Sequence, residues 1–324
     1  MARYVMEFER PLVELEEKLA ELRKLDITAD SELASETEEL ARTIELLRVE
    51  IYEHLTPWAR VQISRHPDRP RLDDYLYTLF AEVIELHGDR AFDDDEAVFT
   101  GLATLGGRRV VVLGHRKGKD TKSNVKRNFG SPHPEGYRKA MRVMRLAEKF
   151  GLPVVSFLDT AGAYPGVEDE DRGQGLAIAQ SLALLSGLRV PVVVVGIGEG
   201  GSGGALAIGF GDRLIMLENA YYSVITPESC ASILYKDAGQ AEAVAPCLRM
   251  TAEDLVELGI ADELVPEPLG GAQRDPDAVF PLVRASLDRA LHDLAPIDLE
   301  TLVSRRYQRL RGIGHVIESS GATK

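Results

Sequence analysis

Residues 192–209 read VVVVGIGEGGSGGALAIG. The four valines predict a buried strand, the glycines a tight turn, and Ala205, Leu206, Ala207 and Ile208 the first turns of a helix. Glycine lifts the steric bar to positive φ and lets the main chain come close to a ligand. A helix that starts there leaves its first N–H groups without partners inside it. With the helix dipole behind them, those donors suit an oxygen that carries or develops negative charge.

The same scheme stands just upstream. PVVSFLD at 153–159 reads as a short buried strand, TAGAYPG at 160–166 as a loop of small residues, and 173–186 as a helix. Strand, loop and helix thus occur twice between residues 153 and 209. That implies an α/β fold with a largely parallel sheet, and ligand sites where strands end and loops begin. Residues 98–105 and 108–115 are β-type runs joined by Gly106 and Gly107, a strong hairpin signal. Beyond Gly209, strands are expected at 213–217, 221–225 and 260–265, and helices at 240–245 and 252–258. Thr226 and Pro227 open another helix as N-cap and first residue. From Asp275 the chain is expected to be helical, with Leu287, Ala290, Leu291 and Leu294 on one face, and to run into the basic segment SRRYQRLRG and a frayed end.

Residues 1–60 look helical and charged. Leu12, Leu15, Leu19 and Leu22, then Leu40, Ile44, Leu47 and Ile51, recur at three- and four-residue spacing, and Asp30 and Ser31 can cap the second helix. Two readings stand: a helical hairpin packed on the main domain, or an arm that binds a partner. Residues 58–70 are expected to be a connection, broken by Pro57, Pro67 and Pro70. Residues 75–87 are expected to be an amphipathic helix ending at Gly88. Composition changes near residue 90, so two regions are expected: 1–90, helical and partner-packing, and 91–324, α/β with C-terminal helices.

The chain has 324 residues, 44 % of them apolar, a net charge of −14 and a pI of about 5.1. Nucleic acid is therefore not the expected partner. The two cysteines, Cys230 and Cys247, exclude a disulfide framework and a four-cysteine zinc site within this chain. No run approaches the roughly 20 apolar residues that cross a bilayer. The opening MARYVMEFERPL lacks a signal peptide's apolar core. A cytoplasmic protein without membrane contact is expected. Against the overall charge, eleven lysines and arginines face three acids between His115 and Lys149. A solvated helix face accounts for the second half of that segment. The first half is a loop, and clustered cations on a loop suit phosphates or carboxylates, as on coenzyme A.

Three chemistries compete for the glycine turn. Residues 200–204, GGSGG, match the G-x-S-x-G of a nucleophile elbow, but only His292, in an amphipathic helix, and His315, in the tail, follow to complete a hydrolase. Gly196, Gly198 and Gly201 trace G-x-G-x-x-G, yet late in the chain and without a Walker lysine. The third is an oxyanion hole made of main-chain N–H groups, which needs no side-chain nucleophile. Beside these stands a helix start that needs glycine only for close packing.

The strings GHRKGKDTK (114–122), RNFGSPHPEGYRKAMRVMRLAEKF (127–150), DTAGAYPGVEDEDRGQ (159–174), GEGGSGGALAIG (198–209), YSVITPESCASIL (222–234) and EPLGGAQRDP (267–276) resemble the carboxyltransferase alpha subunit of bacterial acetyl-CoA carboxylase. The likeness runs in order from about Phe8 to Leu310. It implies a crotonase-type fold, a spiral of ββα units with an N-terminal helical hairpin. It also implies carboxyl transfer from carboxybiotin on a biotin carrier protein to acetyl-CoA, giving malonyl-CoA for fatty acid synthesis. A beta chain of related fold, in an α2β2 assembly, would carry a zinc ribbon and serve the thioester oxygen. Biotin carboxylase and the biotin carboxyl carrier protein would be the other partners. No cofactor would be covalently bound and no metal held by this chain.

By the family pattern the N–H groups of Gly203 and Gly204 serve the ureido oxygen of biotin, whose nitrogen becomes the base for the methyl proton. Gly162, Ala163, Tyr164, Pro165, Gly201 and Ser202 would line the carboxybiotin pocket. Lys117, Lys122 and Arg127 are candidate contacts for coenzyme A or the carrier. Where the family more often has proline the chain has Ala161, which bears on the stiffness of the loop. Two other functions compete: a scaffold with a decayed site, and a hydratase working alone, which would need a carboxylate such as Glu199 poised over the pocket.

Overall fold

The computed structural model describes residues 4–24 and 31–314. Helices α1 (Arg10–Leu22) and α2 (Ser31–Glu53) form the expected hairpin. Leu12, Leu19 and Ile44 close over Met6, Tyr52 and Ile63. Ile63 belongs to α3 (Pro57–Ser64), and Arg274 donates to Glu9 Oε1 at 3.0 Å, so the hairpin is seated on the rest of the chain. Asp30 lies outside the described residues, as does His315, and Ser31 is the first residue of α2.

Two expected elements differ in kind, and residues Thr121–Lys126 of the expected basic loop are helical. The connection proposed for 58–70 contains α3: Thr56 Oγ1 accepts the Ala59 N–H at 3.1 Å and Pro57 takes the first helical position. The helix proposed for 75–87 is instead α4 (Leu72–Leu79) followed by β1 (Ala81–Glu85). Helical burial is exhausted at Leu79 and Phe80. Beyond them the Leu86 N–H donates to Thr100 O at 2.7 Å and Thr100 Oγ1 returns a bond to Leu86 O at 2.6 Å. Pairing with the next strand takes the backbone that a longer helix would have used. β1 thus belongs to the main sheet, although it lies before the boundary expected near residue 90.

β2 (Val98–Leu105) and β3 (Arg108–His115) form the expected hairpin, with Gly106 and Gly107 at φ 56° and 82°. There follow α5 (Thr121–Lys126), α6 (Pro134–Phe150), β4 (Val154–Thr160), α7 (Val167–Asp171), α8 (Gln174–Gly187), β5 (Val192–Gly201) and the short α9 (Ser202–Leu206). The remainder is β6 (Arg213–Leu217), β7 (Tyr221–Ser223), α10 (Pro227–Tyr235), α11 (Ala241–Val244), α12 (Ala252–Glu257), β8 (Glu263–Val265), α13 (Pro276–Leu294) and α14 (Leu299–Arg311).

The strands lie in the order β1-β2-β3-β4-β5-β6-β8. The first three are antiparallel, and every pair from β3 onward is parallel. β4 and β5 are buried along their whole length, as strands covered on both faces must be. β5 has two further partners: residues 193–196 pair with β6 and 199–201 with β7. β7 stops at Ser223, two residues short of expectation, and Val224 is exposed. α6 lies on β2 and β3, and α8 on α6.

Arg306, within the basic segment SRRYQRLRG, is fully buried. It donates to the carbonyls of Leu185 and Leu188 at 2.7 Å, to that of Val190 at 2.9 Å, and to both carboxylate oxygens of Asp212 at 2.9 and 2.7 Å. One side chain thereby holds the entries to β5 and β6.

Candidate active site

The ends of β4 and β5 are adjacent, with Thr160 paired to Gly200. The loop of residues 161–166 and the turn into α9 therefore emerge side by side. The glycines of that turn are there for close approach. A Cβ on Gly201 would lie 2.0 Å from Ala161 O, and one on Gly204 would lie 2.2 Å from Ala163 N. Main chain packs on main chain, and any side chain would separate the two loops. Gly203 differs, since its nearest neighbour would be Ile178 Cγ2 at 3.6 Å. None of these glycines has positive φ. The left-handed residue is Ser202, at φ 53°, a conformation that costs an L-residue about 1–2 kcal/mol. The strained serine turns the chain from strand to helix.

Beyond that bend, the N–H groups of Gly203 and Gly204 have no protein acceptor among the described residues. α9 is five residues long, too short for the full dipole expected behind the turn. Of the two donors expected from the neighbouring loop, the Gly162 N–H is taken by Thr160 Oγ1 at 3.1 Å, whereas the Ala163 N–H has no protein acceptor among the described residues. Tyr164 is half exposed and lies against His133, ring centroids 4.7 Å apart. Pro165 and Ser202 are exposed.

Behind the turn the same strands carry charge. Lys117 Nζ donates to Asp159 Oδ1 at 2.6 Å and to Glu199 Oε2 at 2.7 Å. Glu199 Oε1 accepts from Arg65 Nε at 2.7 Å and from Tyr221 OH at 2.9 Å. Arg65 also pairs with Glu228 at the start of α10. Burial would raise the Glu199 carboxyl, but Lys117 and Arg65 outweigh it and hold it at about 2. Burial likewise pushes Lys117 down, and the two carboxylates more than restore it. Glu199 is therefore ionised and fully bonded, so the carboxylate that a lone hydratase would need is committed to Lys117, Arg65 and Tyr221.

The three basic candidates separate. The Lys117 ammonium is enclosed by its carboxylates. Arg127 donates to Asp73 Oδ2 at 3.1 Å and to Lys117 O at 3.0 Å. Lys122, on α5, is exposed. Much of the surrounding basic segment is neutralised within the chain: Arg116 pairs with Asp73 and Glu85, Lys126 with Glu96, and Lys139 with Asp94. His133, Glu135 and Asp169 form a group of metal-ligand type. Arg172 pairs with both carboxylates and Arg138 with Glu135, so arginines already supply the positive charge a cation would bring.

His115 and Tyr137 reach the turn without having been singled out from sequence. The available signal was a histidine closing the apolar run VVVLG of β3, next to the parallel strand that carries the loop. Burial pushes the His115 imidazole down to about 3, against the bond to Gly204 that favours its charged form. It is neutral.

The fold is shared with solved enzymes. A Pseudomonas malonate decarboxylase hetero-dimer superposes with a TM-score of 0.55 at 19 % identity, covering 67 % of this chain and 89 % of that one. A transcarboxylase 12S hexamer superposes at 0.52 and 19 % identity, covering 62 % and 37 %. The class of fold is thus crotonase-type, as expected. The model of the acetyl co-enzyme A carboxylase carboxyltransferase-like family matches residues 5–314. The acetyl-coenzyme A carboxylase carboxyl transferase subunit alpha of Thermus thermophilus is 52 % identical over 313 residues, 97 % of this chain and 99 % of its own length. The subunit of the same name from Anoxybacillus flavithermus is 51 % identical over 316 residues, 98 % and 97 %. The chain belongs to this carboxyltransferase family.

Proposed function

We propose that the chain is the alpha half of a carboxyltransferase that moves a carboxyl group from carboxybiotin, on a carrier protein, to acetyl-CoA, giving biotin and malonyl-CoA. One observation carries the reading at residue level. Among the described residues the N–H groups of Gly203, Gly204 and Ala163 stand without protein acceptors, while the carboxylates of Asp159 and Glu199 are held by Lys117 and, for Glu199, also by Arg65. Such a site offers donors, and neither of these two carboxylates is free to act as the base. That suits a reaction in which charge builds on the ureido oxygen as the carboxyl group leaves, and in which the biotin nitrogen accepts the methyl proton. Donors placed where charge appears only in the transition state raise the rate.

Tyr164, Pro165, Gly162, Gly201 and Ser202 form the walls of the proposed carboxybiotin pocket, and Lys122 is the basic residue with a free path to coenzyme A or the carrier. A beta chain completes the site and serves the thioester. Exposed Tyr164, Val167, Leu176, Leu206 and Val224, on the elements flanking the turn, supply apolar surface for it to cover. The helical hairpin α1–α2 of the 1–90 region is a second contact for the same chain. Zinc belongs on that chain, in keeping with two separate cysteines here, and the assembly works in the cytoplasm with biotin carboxylase and the biotin carboxyl carrier protein. Among the described residues no helix is long and apolar enough to cross a membrane.

The test measures malonyl-CoA formation from carboxybiotin and acetyl-CoA with the chain alone and with the beta subunit. Activity is expected only from the pair, and turnover by the chain alone overturns the two-chain site. Within the pair, Gly203→Pro removes one donor and is expected to lower kcat by about 100-fold or more. Full activity of that variant excludes the oxyanion assignment.

A further inference from the structure

The short helix after the turn is not held by its own ladder. The Ala207 N–H reaches Gly203 O at 3.0 Å, the Ile208 N–H turns to Ala205 O at 3.4 Å and the Gly209 N–H to Leu206 O at 3.0 Å. The Gly204 carbonyl is passed over and has no main-chain donor among the described residues. Two side chains converge on it instead: His115 Nε2 at 3.3 Å, from the end of β3, and Tyr137 OH at 3.2 Å, from α6. Both residues are fully buried. His115 Nδ1 faces the Asp159 N–H at 3.4 Å and accepts from it, so the imidazole proton lies on Nε2, aimed at Gly204. The later carbonyls of the same turn are pinned in the same manner: Ser181 Oγ donates to Ala207 O and Ser156 Oγ to Ile208 O, each at 2.6 Å.

We propose that His115 and Tyr137 are positioning residues for carboxyl transfer, which hold the Gly203–Gly204 main chain in register with the 160–166 loop by donating together to the Gly204 carbonyl. The proposal rests on the reading that the Gly203 and Gly204 N–H groups receive the oxyanion. A turn with a strained serine at its head and a five-residue helix behind it does not fix the direction of its own N–H groups. The two donors remove rotation about the peptide that follows Gly204. His115 also spans from that peptide to Asp159 on β4, so the turn and the facing loop are located by one ring. Neither ring takes or gives a proton during turnover.

The experiment uses the assembled enzyme with its beta subunit, run in reverse: malonyl-CoA and biocytin give acetyl-CoA and carboxybiocytin, read as acetyl-CoA formed. Tyr137→Phe keeps the volume and removes one donor, and is expected to lower kcat about tenfold with KM for malonyl-CoA unchanged. His115→Leu is expected to lower kcat further, by about 100-fold, and His115→Gln, which restores an N–H at similar reach, to recover at least about tenfold of that loss with the pH–rate profile of the parent. Thermal melting and co-purification of the beta subunit identify variants that fail to fold or assemble. If His115→Leu is among them, Tyr137→Phe decides alone. Tyr137→Phe or His115→Leu within twofold of the parent kcat overturns the proposal, as does a folded His115→Gln no better than His115→Leu. Gly203→Pro in the same assay separates the two readings. If it is inactive while Tyr137→Phe is unaffected, only the positioning role falls. If it is active, the oxyanion assignment falls.

Discussion

The front and the back of the β4–β5 edge are built from the same two strands by opposite means. In front, Gly201, Gly203, Gly204 and Ala163 present main chain, and the spacing is set by the absence of side chains. Behind, Asp159, Lys117, Glu199, Arg65 and Glu228 form a chain of alternating charges that ties β4, β5, α3 and α10 together. Ionisable groups are usually sought as proton carriers. Here they set geometry, and the proposed chemistry is left to amide groups that cannot titrate. The contrast teaches that the perturbed carboxyl nearest the site, Glu199, marks the frame of the site and not its acid or base.

The contrast breaks most visibly at the front. Gly201→Ala places a methyl 2.0 Å from Ala161 O, so the loop must move, and kcat in the assembled enzyme is expected to fall about 100-fold, since small misplacement of reacting groups is costly. Gly203→Ala meets nothing nearer than 3.6 Å and keeps its N–H, so its loss is expected to stay below about tenfold. Equal losses in steady-state assays would show that bulk, not main-chain contact, governs the turn. At the back, Lys117→Met leaves two nearly buried carboxylates facing each other. Stability in urea is expected to drop by about 3 kcal/mol, in the range found when one partner of a buried pair is removed. No measurable loss would show that the charges are decorative.

A smaller effect comes with pH. The folded-state value of His115, about 3, lies below its ordinary 6.5, so the unfolded chain binds a proton that the folded chain refuses. Stability from this group is complete above pH 6.5 and declines as pH falls toward 3. Between pH 6.5 and 4.5, above the range in which Glu199 contributes, a stably folded His115→Gln is expected to show a stability slope shallower by up to about 1.4 kcal/mol per pH unit. Unchanged slopes in denaturant titrations would mean that the ring is not held neutral. The smallest change is expected from Lys122→Ala: exposed on α5, it should raise KM for acetyl-CoA by no more than a few-fold and leave kcat alone.

The strand ends that carry the candidate site were legible in the sequence because strand, loop and helix occur twice in succession. The reason for its glycines was not. Local reading assigns them to positive φ, whereas their constraint comes from Ala161 and Ala163, some forty positions away in the chain and visible only once β4 and β5 pair. Distance along the chain also hid the partners of the basic segment. Asp73, Glu85 and Glu96 lie upstream of it, so counting charge inside the segment left an excess that the fold cancels. The helix expected at 75–87 failed for another reason: Val83, Ile84 and Leu86 satisfy helical spacing as well as strand alternation, and pairing with β2 decides between them. The missed α3 was readable. Thr56 and Pro57 repeat the cap that Thr226 and Pro227 announce correctly before α10.

The Arg306 clamp gives the chain an order of completion. A ribosome delivers β4, β5 and β6 well before residue 306. Until α14 arrives, the carbonyls of Leu185, Leu188 and Val190 and the carboxylate of Asp212 lack the guanidinium that satisfies them. The core that carries the site is thus withheld from a nascent or shortened chain and closed by nearly the last helix to be made. Chains truncated just before Arg306 are expected to be degraded or insoluble in pulse-chase experiments, while those ending just after α14 accumulate. Synthesis that stops short would then seldom leave a folded half-site to occupy the proposed beta chain.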